Sequence, residues 1–207
     1  MQNYLFEKMP VSKAYMKLAL PVVLSMMVSL VYNMVDTYFI AMTDVQELVA
    51  GVSLVAPIFT MMIAFGDIFG LGGSSLISRL LGEKRDDEAK RVSAFCIWAS
   101  IGFGLCVSVV LLVFRTPILH VLGTDATTVQ YASAYYTWIA IGAATIIFGL
   151  VPSNILRTKG LAAQAMFGSI LGSIVNMILD PIFIFGLKQG AAGAAIATVI
   201  GGKKETA

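Results

Sequence analysis

Five runs of this chain are apolar for longer than a bilayer is thick: residues 18–42, 48–78, 92–114, 129–156 and 161–187. A hydrocarbon core about 30 Å thick takes about 20 residues of helix. Inside it each backbone amide needs a partner within its own segment, which a helix supplies and an open strand does not. The runs therefore predict an all-α integral membrane protein with five spanning helices. Composition agrees: 58% of residues are hydrophobic and 13% charged, against roughly 45–50% and 25% in soluble domains. Mean hydropathy is +0.86. A sixth run, 190–202, would be about 20 Å long as a helix and does not cross alone. The expectation is a six-helix lobe over residues 1–200 whose sixth helix is cut short, with 201–207 a polar tail or the scar of a truncation. The first run outlasts a signal-peptide core, and MTDVQE after it offers no small-x-small cleavage pattern, so it reads as a retained helix.

Alternating the segments across the bilayer gathers Lys8, Lys13, Lys17, Arg79, Lys84, Arg85, Lys90, Arg91, Arg157 and Lys159 on one side. Arg115 and Lys188 fall on the other. By the excess of Lys and Arg in cytoplasmic loops the N-terminus is cytoplasmic; the membrane expected is the inner (plasma) membrane of a cell. RLLGEKRDDEAKR, 79–91, reads as a charge-mixed cytoplasmic loop. A formal net charge of +2, thinly scattered, gives no electrostatic footprint for nucleic acid. Cys96 and Cys106 lie in one segment, about 15 Å apart along a helix, too far to bond.

Small residues recur where helices must touch without a hydrophobic drive: Gly66 with Gly70, and Gly168 with Gly172 beside Ser169 and Ser173. GLGGSS, 70–75, lacks the preceding strand and following lysine of a phosphate loop. Pro21, Pro57, Pro152 and Pro181 fall within spanning segments, each freeing the carbonyl four residues earlier. Pro181 stands apart because it follows Asp180.

Asp36, Asp67 and Asp180 are the acids inside spanning segments, and such groups face a bundle interior or a wet cavity. Helix rise puts Asp36 and Asp180 both about 9 Å to the outer side of the centre, and Asp67 about 6 Å to the cytoplasmic side. Tyr32 and Asn33 share a helical face with Asp36, as Asn176 does with Asp180. If the first and fifth helices adjoin, two acids at one depth share a proton or hold a cation between them, with Asn and Thr oxygens completing a hard-cation site. The alternative is a buried pair that only joins helices.

Taken together, VYNMVDTYFIA, GLGGSSLISRLLGEKRDDEAKR, NILRTKG and NMILDPIFIFGLKQGAAGAAIAT resemble the MATE family of multidrug and toxic compound extrusion transporters, in their DinF-like prokaryotic branch. The resemblance runs over residues 1 to about 200. It implies the N-terminal lobe of a twelve-helix antiporter that exports cationic or amphipathic compounds in exchange for Na⁺ or H⁺ and uses no other cofactor. It further implies that Asp36 and Asp180 are the coupling acids, with Asn176, Thr198 and either Tyr135 or Tyr136 beside them, a Na⁺ site being Asp36, Asp180, Asn176 and Thr198. Asn33, Asn154 and Pro181 are supporting candidates. Thr198 falls about 3 Å and Tyr135 about 6 Å to the outer side of centre. The partners implied are the bilayer, the exported compound, and a C-terminal lobe or a second copy of this one.

Two other readings stay open. A lipid-linked sugar flippase of the same superfamily would carry mid-membrane basic residues for phosphate, and none lies mid-helix here. An inactive truncated fragment is favoured by the abrupt GGKKETA ending. An enzyme is the weakest reading, since the single histidine, His120, lies in an outer loop away from any nucleophile or metal constellation.

Overall fold

A computed structural model describes residues 10–43, 45–186 and 190–204, with backbone alone at 14 and 201–204. The described chain is helical in the order α1 (Val11–Ala41), α2 (Gln46–Gly82), α3 (Asp86–Val113), α4 (Arg115–Val121), α5 (Val129–Thr158), α6 (Ala162–Pro181), a π-helical turn Ile182–Gly186, and α7 (Gly190–Lys204). Five of these stretches are long and apolar enough to cross a membrane: α1, α2, α3, α5, and α6 with its π turn. This is the predicted fold class. Lys8, Lys188 and 205–207 lie outside the described residues.

The helices overrun the apolar runs because polar ends remain good helix. α1 starts straight after Pro10, which has no amide to leave unpaired. α3 starts at Asp86, with Asp86, Asp87 and Glu88 in its first turn opposing the partial positive charge there. The expected 79–91 loop thus shrinks to Glu83–Arg85 between α2 and α3. There the Arg85 guanidinium donates to both Glu88 oxygens, at 2.8 and 2.7 Å, and to Glu83 at 3.1 Å. α5 ends in a Schellman turn: Gly160 at φ 75° lets its own amide reach the Arg157 carbonyl and the Leu161 amide reach Leu156.

α5 is the hub and the most buried of the spanning helices, with only a few side chains such as Trp138 and Ile141 left exposed. α2, α3, α6 and α7 pack on it, and α1 leans mainly on α6. Burial on α2 falls at Leu48, Gly51, Val55, Ile58, Met62, Gly66, Gly70, Gly73, Ile77 and Leu80, the steps of three or four that mark one helical face. In lipid that face gains little by leaving its solvent, so association depends on close van der Waals fit. Glycines supply it. A Cβ at Gly51 would stand 2.8 Å from the Ala132 backbone nitrogen, and one at Gly70 2.6 Å from the Asn154 side-chain nitrogen. Both α2 and α5 advance along these contacts in the same direction, 51 against 132 and 70 against 154, so the two helices run parallel.

The connection between α3 and α5 holds an unexpected element, the seven-residue α4. Past it Asp125 organises a tight turn: its Oδ1 accepts from the Thr127 and Thr128 amides at 3.1 and 2.9 Å and from both hydroxyls at 2.8 Å. Those donors, led by the Thr128 amide, hold its carboxyl down at about 2. The sixth helix, α7, has 15 residues, two more than its apolar run.

Candidate ion-coupling site between the first and fifth spans

α6 buries Ala162, Ala165, Ser169, Gly172, Asn176 and Asp180, one stripe at three- and four-residue spacing that ends in the acid. α1 lies against this helix. The seam is pinned where the Asn176 side-chain amide donates to the Tyr32 hydroxyl at 2.9 Å. One turn further along each helix comes the acid, Asp36 after Tyr32 and Asp180 after Asn176. Because the two spans run the same way, the pinned pair puts both carboxylates at one level, near enough that Asp180 lies in the field of Asp36.

What distinguishes this place is its surplus of acceptors. Asp180 is fully buried, yet both its oxygens lack a hydrogen-bond partner, as do Asp36 Oδ1 and Asn176 Oδ1. Buried acceptors almost always find a donor, so four orphans together need an explanation. The Tyr135 side chain, on α5, stands within the field of both acids and is 8% exposed. Thr198, on α7, gives its hydroxyl hydrogen to the Ala194 carbonyl at 3.0 Å and meets the acid cluster through Tyr32, whose hydroxyl it contacts. The group can therefore take a proton, or present several hard oxygens to a small cation. Those residue types fit Na⁺ as readily as H⁺.

A cavity of about 240 Å³ lies among α1, α2, α5, α6 and α7, walled by Ser29, Tyr32, Asn33, Ser169, Asn176 and Thr198 among others. It is smaller than the roughly 300–1,000 Å³ of drug-sized sites. The acids sit one helical turn beyond its Tyr32 and Asn176 walls. Asp180 is followed by Pro181, whose missing amide releases the Met177 carbonyl. The chain then widens into the π turn Ile182–Gly186.

The structure separates the remaining candidates. Tyr136 does not join the acids: 100° round the helix from Tyr135, it sends its hydroxyl to the Leu111 carbonyl on α3, at 2.8 Å. Asn154 is also elsewhere, donating to the Leu150 carbonyl at 3.0 Å while packing on Gly70 of α2. Asn33 is exposed and lines the cavity. Asp67, half-buried on α2, lies in the field of the Arg157 guanidinium near the end of α5. Tyr32 carries more than its helical spacing conveyed, because a bond between two helices is fixed by their rotation and offset, which neither sequence states.

Spanning helices round a buried acceptor-rich seam make this a multi-pass helical membrane protein. Within that class, the MatE family model matches residues 21–182, and the chain belongs to the MatE family. It is 35% identical over 199 residues to the multidrug export protein MepA of Staphylococcus aureus strain NCTC 8325, covering 96% of this chain and 44% of that protein. MepA of Staphylococcus haemolyticus is similar to the same extent. The fold superposes with a TM-score of 0.89 and 32% identity on a multidrug resistance MATE family transporter of the MOP superfamily in its outward-facing conformation, covering 94% of this chain and 43% of that one. For a MOP superfamily transporter from Pyrococcus furiosus the TM-score is 0.92 at 31% identity, with 99% and 45% covered. The chain spans less than half the length of the relatives it matches.

Proposed function

We propose that this chain is the N-terminal lobe of a cation-coupled antiporter, exporting cationic or amphipathic compounds in exchange for Na⁺ or H⁺. The observation that carries the reading is the set of four unpartnered buried acceptors at Asp36, Asn176 and Asp180. Empty, the pair sets two carboxylates against each other in a medium that solvates neither, which favours entry of a cation. Occupied, it is neutral, and the α1–α6 seam can close over it. The Pro181 break and the π turn behind it give α6 a place to bend. Coupling then follows from one cation stabilising one of two packings.

Asp36 and Asp180 are the coupling acids in this scheme, with Asn176, Thr198 and Tyr135 as oxygen partners and Tyr32 as the strut that sets their level. The exported compound binds outside this lobe, between it and a second wall: a C-terminal lobe or another copy in the same orientation. Lys13, Lys17, Arg79, Lys84, Arg85, Lys90, Arg91, Arg157 and Lys159 then face the cytoplasm, and Arg115 the outer side, in the plasma membrane. The role is transport, not catalysis.

Cation-driven efflux, measured alongside thermal stability in a two-lobed transporter carrying this lobe, tests the proposal. Asp36→Asn and Asp180→Asn should each abolish efflux while the protein stays folded. The double variant should be no worse than either single one, as for groups acting as a unit. Normal efflux by either single variant, or failure only through unfolding, would make the pair a structural contact.

A further inference from the structure

At the end of the lobe away from the Glu83–Arg85 turn, a second polar cavity of about 200 Å³ opens between α4 and the start of α5. Its polar lining is Arg115, Thr116, His120, Thr124 and Ser133. Its chemistry is the reverse of the acid seam's, being rich in donors. Arg115 is held in place by donating one Nη2 hydrogen to the Ser133 hydroxyl. Among the described residues no carboxylate lies within ion-pair distance of it. The acid of this connection, Asp125, has its Oδ1 engaged by four donors of its own turn. A guanidinium carries five N–H groups, so most of those on Arg115 remain free. The Ser133 hydroxyl accepts from Arg115 and keeps its own hydrogen to give. Thr116 and His120 have no side-chain partner among the described residues, whereas Thr124 spends its hydrogen on the Leu119 carbonyl at 2.9 Å.

The setting says where an anion would come from. α3, a spanning helix, ends at Val113, so Arg115 stands at the boundary between the apolar layer and the headgroups. Val113, Phe114 and Val121, which flank Arg115 and His120 in the chain, are 70%, 54% and 87% exposed. Donors and bare apolar surface thus meet at one rim, as a lipid with a charged head requires.

We propose that this cavity binds a phosphate group, supplied by the headgroup of an anionic phospholipid in the adjoining leaflet. Arg115 makes the charge-assisted contact with the phosphate oxygens, and Ser133, Thr116 and His120 donate to the remaining ones. The site needs no coupling ion and stands apart from the transport reading.

The test compares the delipidated, purified chain with two variants, Arg115→Gln and the double variant Thr116→Val/His120→Ala, which leaves the Arg115–Ser133 bond intact. Lipid retention by native mass spectrometry and the unfolding midpoint are read with dioleoyl phosphatidylglycerol, dioleoyl phosphatidylcholine or sodium phosphate added. Phosphatidylglycerol should be retained and should raise the midpoint, phosphatidylcholine should do neither, and free phosphate should protect weakly. Arg115→Gln should bind phosphatidylglycerol roughly tenfold more weakly, the order expected for one lost charge-assisted bond; the double variant should lose severalfold. Full protection by inorganic phosphate, lost in Arg115→Gln, would uphold the phosphate site and overturn the lipid as its source. Equal retention of phosphatidylglycerol by the wild type and the double variant, or by the wild type and a folded Arg115→Gln, would overturn the proposal.

Discussion

The seam between α2 and α5 and the seam between α1 and α6 use small residues and single acids alike, and they differ in what is left unpaired. Along the first, glycines let backbones approach to contact distance, Asn154 finds a carbonyl on its own helix, and Asp67 has the charge of Arg157 within reach. Along the second, the amide of Asn176 is bonded while its carbonyl oxygen and three oxygens of the two acids are not. In the first seam Asn154 and Asp67 each have a partner within the protein. The other leaves four buried acceptors without a donor. The same residue types are therefore paired in one place and left short of donors in another, which is the contrast the proposed exchange rests on.

That contrast is broken most severely at the glycine seam. Gly51→Val should lower stability by about 1–3 kcal/mol, because the added Cβ would meet the backbone nitrogen of Ala132 at 2.8 Å, and backbone cannot swing aside. Thermal unfolding in detergent reads this directly. Asp180→Asn, which removes an unsatisfied buried charge, should hold or raise the same midpoint. Destabilisation by Asp180→Asn equal to that of Gly51→Val would erase the distinction between the seams.

A milder effect is expected at Asp67. In a two-lobed parent, Asp67→Asn should keep most of the cation-driven efflux, since its neighbours are Gly66, Gly70 and a cation, and it lies at another depth. Loss as complete as that of Asp36→Asn would extend the exchange region across the lobe.

The smallest effect belongs to Asp125, fully exposed in its turn. Its carboxyl titrates at about 2 in the folded chain and at about 3.9 unfolded, so the unfolded chain binds the proton first as pH falls. Its contribution is fully present above about pH 4 and lost between about 4 and 2. Unfolding midpoints across that range should fall slightly more for the wild type than for Asp125→Ala. Parallel curves would count against the turn's hydrogen bonds.

Length and polarity alone convey most of this fold. Five runs outlasting the bilayer became five spanning stretches, and helix rise put Asp36 and Asp180 at one depth before any packing was known. What sequence withholds is rotation about each helix axis. Tyr135 and Tyr136 are adjacent in the chain and only their azimuths separate them, one toward the acids and one toward Leu111. Asn154 matched the polar residues round the acids in type, yet its place is set by the void at Gly70 on another helix. α4 escaped because seven residues with one proline, RTPILHV, show no periodicity long enough to register. The 79–91 stretch is mostly helix despite its charges, because Asp86, Asp87 and Glu88 suit a helix start as well as a solvated loop.

The central claim, that the α1–α6 seam takes up a small cation, is most directly tested by counting. The purified chain in lipid vesicles is titrated with protons, and with Na⁺ at fixed pH, beside the Asp36→Asn/Asp180→Asn double variant, with bound cation measured per chain. The account predicts that the native chain binds a single proton or Na⁺ that the double variant does not, the pair titrating as one unit. Equal uptake by both proteins would contradict it.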